Sequence, residues 1–129
     1  MNRQNRPATV VLAVGILVLC LSLLGVEAQT KVLRRLIDDA IYDNGNHYFS
    51  CQQLPQLSQV ESTVAEHQDL VLPIGQVNPG LVGVEMDATT CSGKGDIVFW
   101  YGSHRDRLSI EALIGEVTFF GVPYRLQNR

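Results

Sequence analysis

The feature that most limits how this chain can fold is the succession of patterns in residues 79–126. Apolar side chains alternate with polar or small ones in residues 82–89, as they do in a strand with one buried face. A glycine-containing connection at residues 92–95 and the apolar run at 97–101 predict a hairpin and a second strand, residues 96–101. A short helix and a last strand, residues 117–126, follow. This order of elements indicates an α+β fold and specifies no reaction.

Local signals delimit the helix of this segment and place its last strand. Ser103 and Asp106 form a capping-box-like S-x-x-D pattern that predicts a helix start, and Gly115 predicts its end. The residues expected to face inward share helical spacing and are Ile110, Leu113 and Ile114. Pro123 lacks the N–H group that a central strand donates, so the last strand is expected at an edge of the sheet.

Residues 32–41 predict a first amphipathic helix, because apolar side chains recur there at helical spacing and charged ones fill the other side. Thr30 is the expected N-cap, and Asn44-Gly45 is the expected stop. The apolar side of this helix could cover one face of the sheet.

A second helix is expected to begin between residues 50 and 58 and to end near Gln68. Either Pro55 in its first turn or Ser58 in a capping box fits this start. Residues 69–78 fit a short extra strand or an ordered loop. The chain is therefore expected to form two N-terminal helices followed by a β-β-α-β unit with a three-stranded, mostly antiparallel sheet.

Residues 1–28 have the three parts of a secretory signal peptide. A start containing Arg3 and Arg6 precedes an apolar run, and a site with small residues ends at Ala28. Cleavage there would leave a single α+β domain, residues 29–129, that is secreted or periplasmic. The apolar run is also near the lower length limit of a membrane span, so an uncleaved anchor is the alternative.

Two cysteines follow the leader, Cys51 and Cys91. An even number of cysteines in a small exported domain favours a disulfide, and two buried thiols are the alternative. The second helix should run antiparallel to the first strand, which brings the start of the helix beside the end of the strand. A bridge that closes a loop of about forty residues would stabilise the domain by roughly 4 kcal/mol in the chain-entropy estimate.

The charge balance argues against nucleic-acid binding. The sequence has 10 Lys and Arg against 13 Asp and Glu. Removal of the leader takes away Arg3, Arg6 and Glu27, which leaves an acidic domain. Nucleic-acid binding requires a basic face, which this balance does not favour.

The polar residues do not form a pattern with a defined chemistry. The three histidines, His47, His67 and His104, lack the spacing that makes a metal site specific. Ser103 and Asp106 flank His104, but residues this close in sequence cannot place an imidazole between a nucleophile and a carboxylate. We therefore expect no catalytic residues, no metal site and no cofactor.

Four short segments have a recognisable order: HQDL at residues 67–70, PGLVGV at 79–84, DIVFWY at 96–101 and GVPYR at 121–125. This order resembles a small α+β module that precedes trypsin-like serine protease domains in some bacteria. The resemblance implies an accessory or interaction role without catalysis, and it supplies no active-site residues.

The second strand is apolar on both faces, so only one of them can be the core. On the other face Val98 and Trp100 would lie beside Glu85 and Asp87 of the first strand. Exposed aromatic side chains are favoured as interface anchors. The sequence thus predicts a non-enzymatic interaction module whose partner is a protein with a basic rim, such as a protease or another envelope protein. The alternatives are a small secreted enzyme and a membrane-anchored structural protein.

Overall fold

The computed structural model describes residues 6–129, so Arg3, expected at the charged start of the leader, lies outside the described residues. The chain divides into two compact units, one that ends at Leu36 and one formed by Ile37–Arg129.

The first unit contains helix α1, Arg6–Thr30, and the start of helix α2, Val32–Ala40. The segment Thr9–Thr30 is long and apolar enough to cross a membrane by length and composition, a property it shares with signal sequences. The expected N-terminal apolar helix is thus present.

Helix α2 begins with a cap that the sequence did not suggest. Thr30 is not its N-cap, because the Thr30 hydroxyl donates to the carbonyl of Val26 at 2.8 Å within α1. The carboxylate of Glu27 instead accepts hydrogen bonds from the backbone N–H groups of Leu33 at 2.6 Å and Arg34 at 3.0 Å. It thereby satisfies N–H groups that the first turn of a helix leaves unpaired.

Helix α2 is amphipathic, as expected, but none of its residues is buried. It ends at Ala40, before the expected stop at Asn44-Gly45. Its apolar side chains are exposed, and none of them belongs to the core cluster.

The second unit contains a three-stranded sheet in the order β1-β2-β3. Its elements in chain order after α2 are α3 (Leu57–Glu66), α4 (Gln68–Gly75), β1 (Val82–Asp87), β2 (Asp96–Tyr101), α5 (His104–Ile114) and β3 (Tyr124–Asn128). Strand β1 is antiparallel to β2, but β2 is parallel to β3, so the sheet is mixed and the expectation of a mostly antiparallel sheet is wrong. The reason is that α5 carries the chain back to the end of the sheet at which β2 began, which makes a βαβ crossover.

Helix α5 has the two ends that its sequence predicts. The Ser103 hydroxyl accepts a hydrogen bond from the N–H of Asp106, and Gly115 ends the helix with a left-handed φ of 68°. Ile110 is fully buried, whereas Leu113 is 40% exposed, so the inward stripe is narrower than expected.

Helix α3 starts within the expected range but uses neither expected cap. Its N-cap is Gln56, which makes no side-chain capping bond, so Pro55 precedes the helix and Ser58 lies inside it. The helix ends at Glu66, where His67 leaves helical geometry with φ −111° and ψ 37°.

Most of the segment expected as a strand or a loop is helix α4. Leu70, Val71 and Ile74 have helical spacing and turn toward the core, where Ile74 is fully buried. Pro73 lies on the exposed side of this short helix. Burial of the apolar side therefore outweighs the preference of proline for a helix end.

The core lies between one face of the sheet and helices α3, α4 and α5. Its main members are Val60, Ile74, Val82, Ile97, Phe99, Tyr101, Ile110, Phe119, Val122 and Leu126. Because the three helices all contribute to this cluster, they define which face of the sheet is the core face.

Strand β3 lies at an edge, as Pro123 predicts. It starts later than expected because Phe119 and Val122 exchange backbone hydrogen bonds of 2.8 and 3.0 Å in a tight turn that precedes it. The free side of β3 is partly covered by Gly45, which exchanges two backbone hydrogen bonds of 2.8 and 2.9 Å with Leu126. Such cover limits pairing of the edge with other chains.

Candidate functional site

The face of the sheet opposite the core is formed by alternate residues of all three strands. We call it the polar face, and its members are Gly83, Glu85, Asp87, Asp96, Val98, Trp100, Arg125 and Gln127. The register places Glu85 opposite Val98 and Gly83 opposite Trp100. All four residues expected to bind a partner, Val98, Trp100, Glu85 and Asp87, therefore belong to this face.

Trp100 lies flat across the neighbouring strand. A Cβ atom at position 83 would lie 2.3 Å from the indole Cζ2, so only glycine leaves room for the ring. The Arg129 guanidinium lies 5.8 Å from the centroid of the ring on a side that is partly exposed. Trp100 thus provides an apolar surface and a cation–π contact with Arg129 on the central strand of the polar face.

The acids of the polar face are paired within the same face. Glu85 forms an ion pair with Arg129, and Asp87 forms one with Arg125 at 2.5 Å. Val98 is only 3% exposed, so it offers almost no surface to a partner. The polar face is therefore a mixed-charge surface with a partly exposed tryptophan, and it carries less unpaired negative charge than the sequence suggested.

Arg125 holds two carboxylates together. It binds Asp96 in a fork, with Nε 2.5 Å from Oδ2 and Nη2 2.8 Å from Oδ1, and Nη2 also reaches Asp87. Burial alone would raise the pKa of the Asp96 carboxyl, but hydrogen bonds from His47 and Arg125 outweigh burial and hold that pKa below its usual value. The bonds to Asp96 in turn raise the pKa of Arg125 further above its usual value.

The second carboxylate is also held in its charged form. The hydroxyl and backbone N–H of Thr89 donate to Asp87 Oδ1 at 2.6 and 2.8 Å. These bonds, with a further contribution from Arg125, hold the pKa of Asp87 well below its usual range. Both acids that bind Arg125 therefore stay ionised throughout the neutral pH range.

His47 connects the preceding loop to this network. Its Nε2 lies 2.7 Å from Asp96 Oδ2, and its Nδ1 accepts a hydrogen bond from the N–H of Phe49 at 2.9 Å. Because Nδ1 accepts a hydrogen bond, Nε2 is the nitrogen that carries the proton and donates to Asp96. Both ring nitrogens are thus hydrogen-bonded within the fold.

A cavity of about 310 Å³ lies beside this network. Its walls include Phe49, Leu54 and the disulfide-bonded pair, and Arg125 and Asp96 contribute its charged side. Cys51 and Cys91 lie at disulfide distance, with Cα atoms 5.5 Å apart, as the predicted topology requires.

The other polar residues that were considered do not meet in one place. Ser103 Oγ lies 2.8 Å from Asp106 Oδ2, while His104 pairs with Asp43 at 2.7 Å. His67 stacks on Phe120 with ring centroids 3.4 Å apart. Within residues 6–129, no group of three or more His, Cys, Asp or Glu side chains is arranged to hold a metal ion.

Sequence reasoning did not identify His47, Asp96 and Arg125 as one cluster. The three residues come from a loop and two strands, and Arg125 is far in sequence from Asp96. One feature of the sequence points to this cluster. Asp96 begins an otherwise apolar strand, and a carboxylate buried there needs a hydrogen-bonding or charged partner.

Comparisons of the chain with protein-family models, with curated protein sequences and with solved structures gave no match.

Proposed function

We propose that the unit Ile37–Arg129 is an exported, disulfide-stabilised interaction module that binds a protein partner through the polar face and is not an enzyme. The observation that carries this proposal is the difference between the two faces of the sheet. One face packs against α3, α4 and α5, whereas the other presents charged side chains and a partly exposed Trp100. Tryptophan and arginine are the residues that most often contribute binding energy at protein interfaces.

The geometry supports binding better than catalysis. The cavity beside the disulfide contains the residues closest to a catalytic arrangement, His47 and Asp96. A general base needs a free nitrogen within hydrogen-bond reach of the proton it removes, and both nitrogens of His47 are already bonded.

The partner is expected to match a surface of mixed charge. Glu85, Asp87 and Asp96 are balanced largely by Arg125 and Arg129, so a partner with both charged and apolar atoms suits this face better than one with only a basic rim. The resemblance of the strand segments to a module that precedes serine proteases makes a trypsin-like protease the first partner class to assay, and an envelope protein the second.

A photo-crosslinking amino acid at Gln127 tests this proposal in the cells that make the protein. Gln127 is exposed on the polar face, and Leu108, exposed on α5, provides the matched control position. We expect an adduct of defined mass from position 127 and none of that mass from position 108. Adding Trp100→Ala to the position 127 variant should remove the adduct while the disulfide and the circular dichroism spectrum are retained.

The opposite pattern would contradict the proposal. An adduct from position 108 with none from position 127 would place the binding surface on α5. Retention of the adduct in a folded Trp100→Ala variant would show that the tryptophan does not contribute to binding.

A further inference from the structure

The apolar side of α2 is an exposed feature that the proposed function does not use. At helical spacing, Val32, Leu33, Leu36 and Ile37 lie on one side of the helix. Their exposed fractions are 51%, 57%, 60% and 37%. A helix of a water-soluble domain normally buries such a side, so this one requires a different cover.

The polar side of α2 is bonded to the protein. Asp39 pairs with Arg107 at 2.6 Å, and the Tyr48 hydroxyl donates to Asp38. Both contacts lie within the unit Ile37–Arg129, so they hold the C-terminal end of α2 on that unit.

The position of α2 in the chain indicates what covers it. The segment Thr9–Thr30 has 22 residues. At 1.5 Å per residue this length is about 33 Å, close to the hydrocarbon thickness of a bilayer, about 30 Å. Only Lys31 separates α1 from α2, and the Glu27 carboxylate fixes this corner by capping α2. With α1 in a bilayer, α2 would therefore begin at the level of the lipid headgroups.

We propose that α1 remains attached as a membrane anchor and that α2 lies in the membrane interface with its apolar side in the lipid. Helices that lie in this plane combine a strong apolar side with basic residues on the polar side. Lys31 and Arg34 would meet the phosphate groups of anionic lipids. A second copy of the chain is a less suitable cover, because α1 holds α2 at the bilayer whether or not another copy is present.

A fluorescent label on opposite sides of α2 tests the proposal in the full chain. Cys20 is the free cysteine of the described residues, so Cys20→Ser leaves a single reactive thiol in Leu36→Cys or in Arg34→Cys. Each variant carries an NBD label and is reconstituted in vesicles of phosphatidylethanolamine and phosphatidylglycerol. We expect blue-shifted emission, several-fold weaker quenching by iodide and strong quenching by brominated acyl chains at position 36, and the reverse at position 34.

Three results would overturn the proposal. Equal iodide quenching at both positions would show that the apolar side faces water. Protection from iodide at position 36 without quenching by brominated lipid would show that protein, such as a second copy, covers it. A cellular protein that begins at Gln29 would lack both α1 and the Glu27 cap. None of these results depends on the partner of the polar face, so this proposal and the proposed function can fail separately.

Discussion

Gly83 shows how one residue shapes the polar face. The indole of Trp100 occupies the space where any other residue would place its Cβ atom. The glycine is thus retained for a close approach between a side chain and a neighbouring strand, although glycine weakens a strand.

Gly83→Ala should destabilise the protein by about 1–3 kcal/mol, the range for inserting a methyl group into a packed site. It should also shift the fluorescence of Trp100, the one tryptophan of the chain. Denaturation midpoints of the full chain in detergent measure the first effect. Gly102→Ala is the matched control, because its Cβ would meet the nearest atom, on Leu81, at 3.7 Å, an ordinary contact. A Gly83→Ala variant as stable as this control would contradict the packing described.

The ion pairs of Arg125 make stability depend on pH. A carboxyl whose pKa is lower in the folded chain contributes stability that is complete above its unfolded pKa, about 3.9, and is lost as the pH falls through the folded value. The pKa values of Asp87 and Asp96 are both lowered, so their contribution should be constant at neutral pH and decline in acid.

Arg125→Gln should lower the free energy of unfolding at neutral pH by about 3 kcal/mol, because it removes one of the two partners of the buried Asp96 and leaves only His47. The difference from the wild type should narrow as the pH falls below about 4, where the carboxyls of the unfolded chain take up protons while those of the folded wild type are still ionised. Denaturation at a series of pH values measures this difference, and Arg105→Gln, an exposed arginine on α5, is the control. A difference that is independent of pH would show that the ion pairs do not stabilise the fold.

At the scale of elements, the start of α5 depends on one hydroxyl that serves two purposes. Ser103 accepts a hydrogen bond from the N–H of Asp106 and donates to its nearly buried carboxylate, which Asn78 also binds at 3.1 Å. The cap therefore connects the crossover helix to the loop that precedes β1.

Ser103→Ala should destabilise the protein by about 1 kcal/mol, the usual effect of losing an N-cap. Ser103→Thr should restore most of this stability, because it keeps a hydroxyl at the cap. Ser109→Ala is the control, since the Ser109 hydroxyl bonds only to the Arg105 carbonyl of its own helix. Thermal unfolding midpoints of the three variants measure the stability that the cap contributes. Equal midpoints for the two alanine variants would refute the role of the cap.

At the scale of the whole molecule, the Cys51–Cys91 pair connects the segment before α3 to the end of the β1 region across 40 positions. The chain-entropy estimate for such a loop is roughly 4 kcal/mol. This value is a large share of the total stability of a small domain.

The double variant Cys51→Ala and Cys91→Ala should therefore have a much lower denaturation midpoint than the wild type, by up to about 4 kcal/mol in free energy of unfolding. Cys20→Ser should leave the midpoint unchanged, because Cys20 is exposed in α1 and forms no bridge. A double variant with the stability of the wild type would show that the bond adds nothing to the fold.

The sequence by itself determined the features that depend on neighbouring residues. The alternation in β1, the N-cap Ser103, the stop at Gly115 and the edge position given by Pro123 all follow from backbone chemistry within a few positions. The Cys51–Cys91 pair could also be predicted, because the order of a helix and the strand after it already fixes which ends meet.

The tertiary structure decided the features that depend on distant residues. Segment 68–75 is a helix because its apolar side is buried, which local signals around Pro73 did not reveal. The parallel register of β3 places Arg125 beside Val98 and within reach of two acids, Asp87 of β1 and Asp96 of β2. Arg125 therefore balances negative charge that the sequence of β1, read by itself, places on the surface. The acids at the end of α2 bond to Arg107 and Tyr48, which lie elsewhere in the second unit. Periodicity shows that a helix has an apolar side, but only contacts between distant residues decide where that side points.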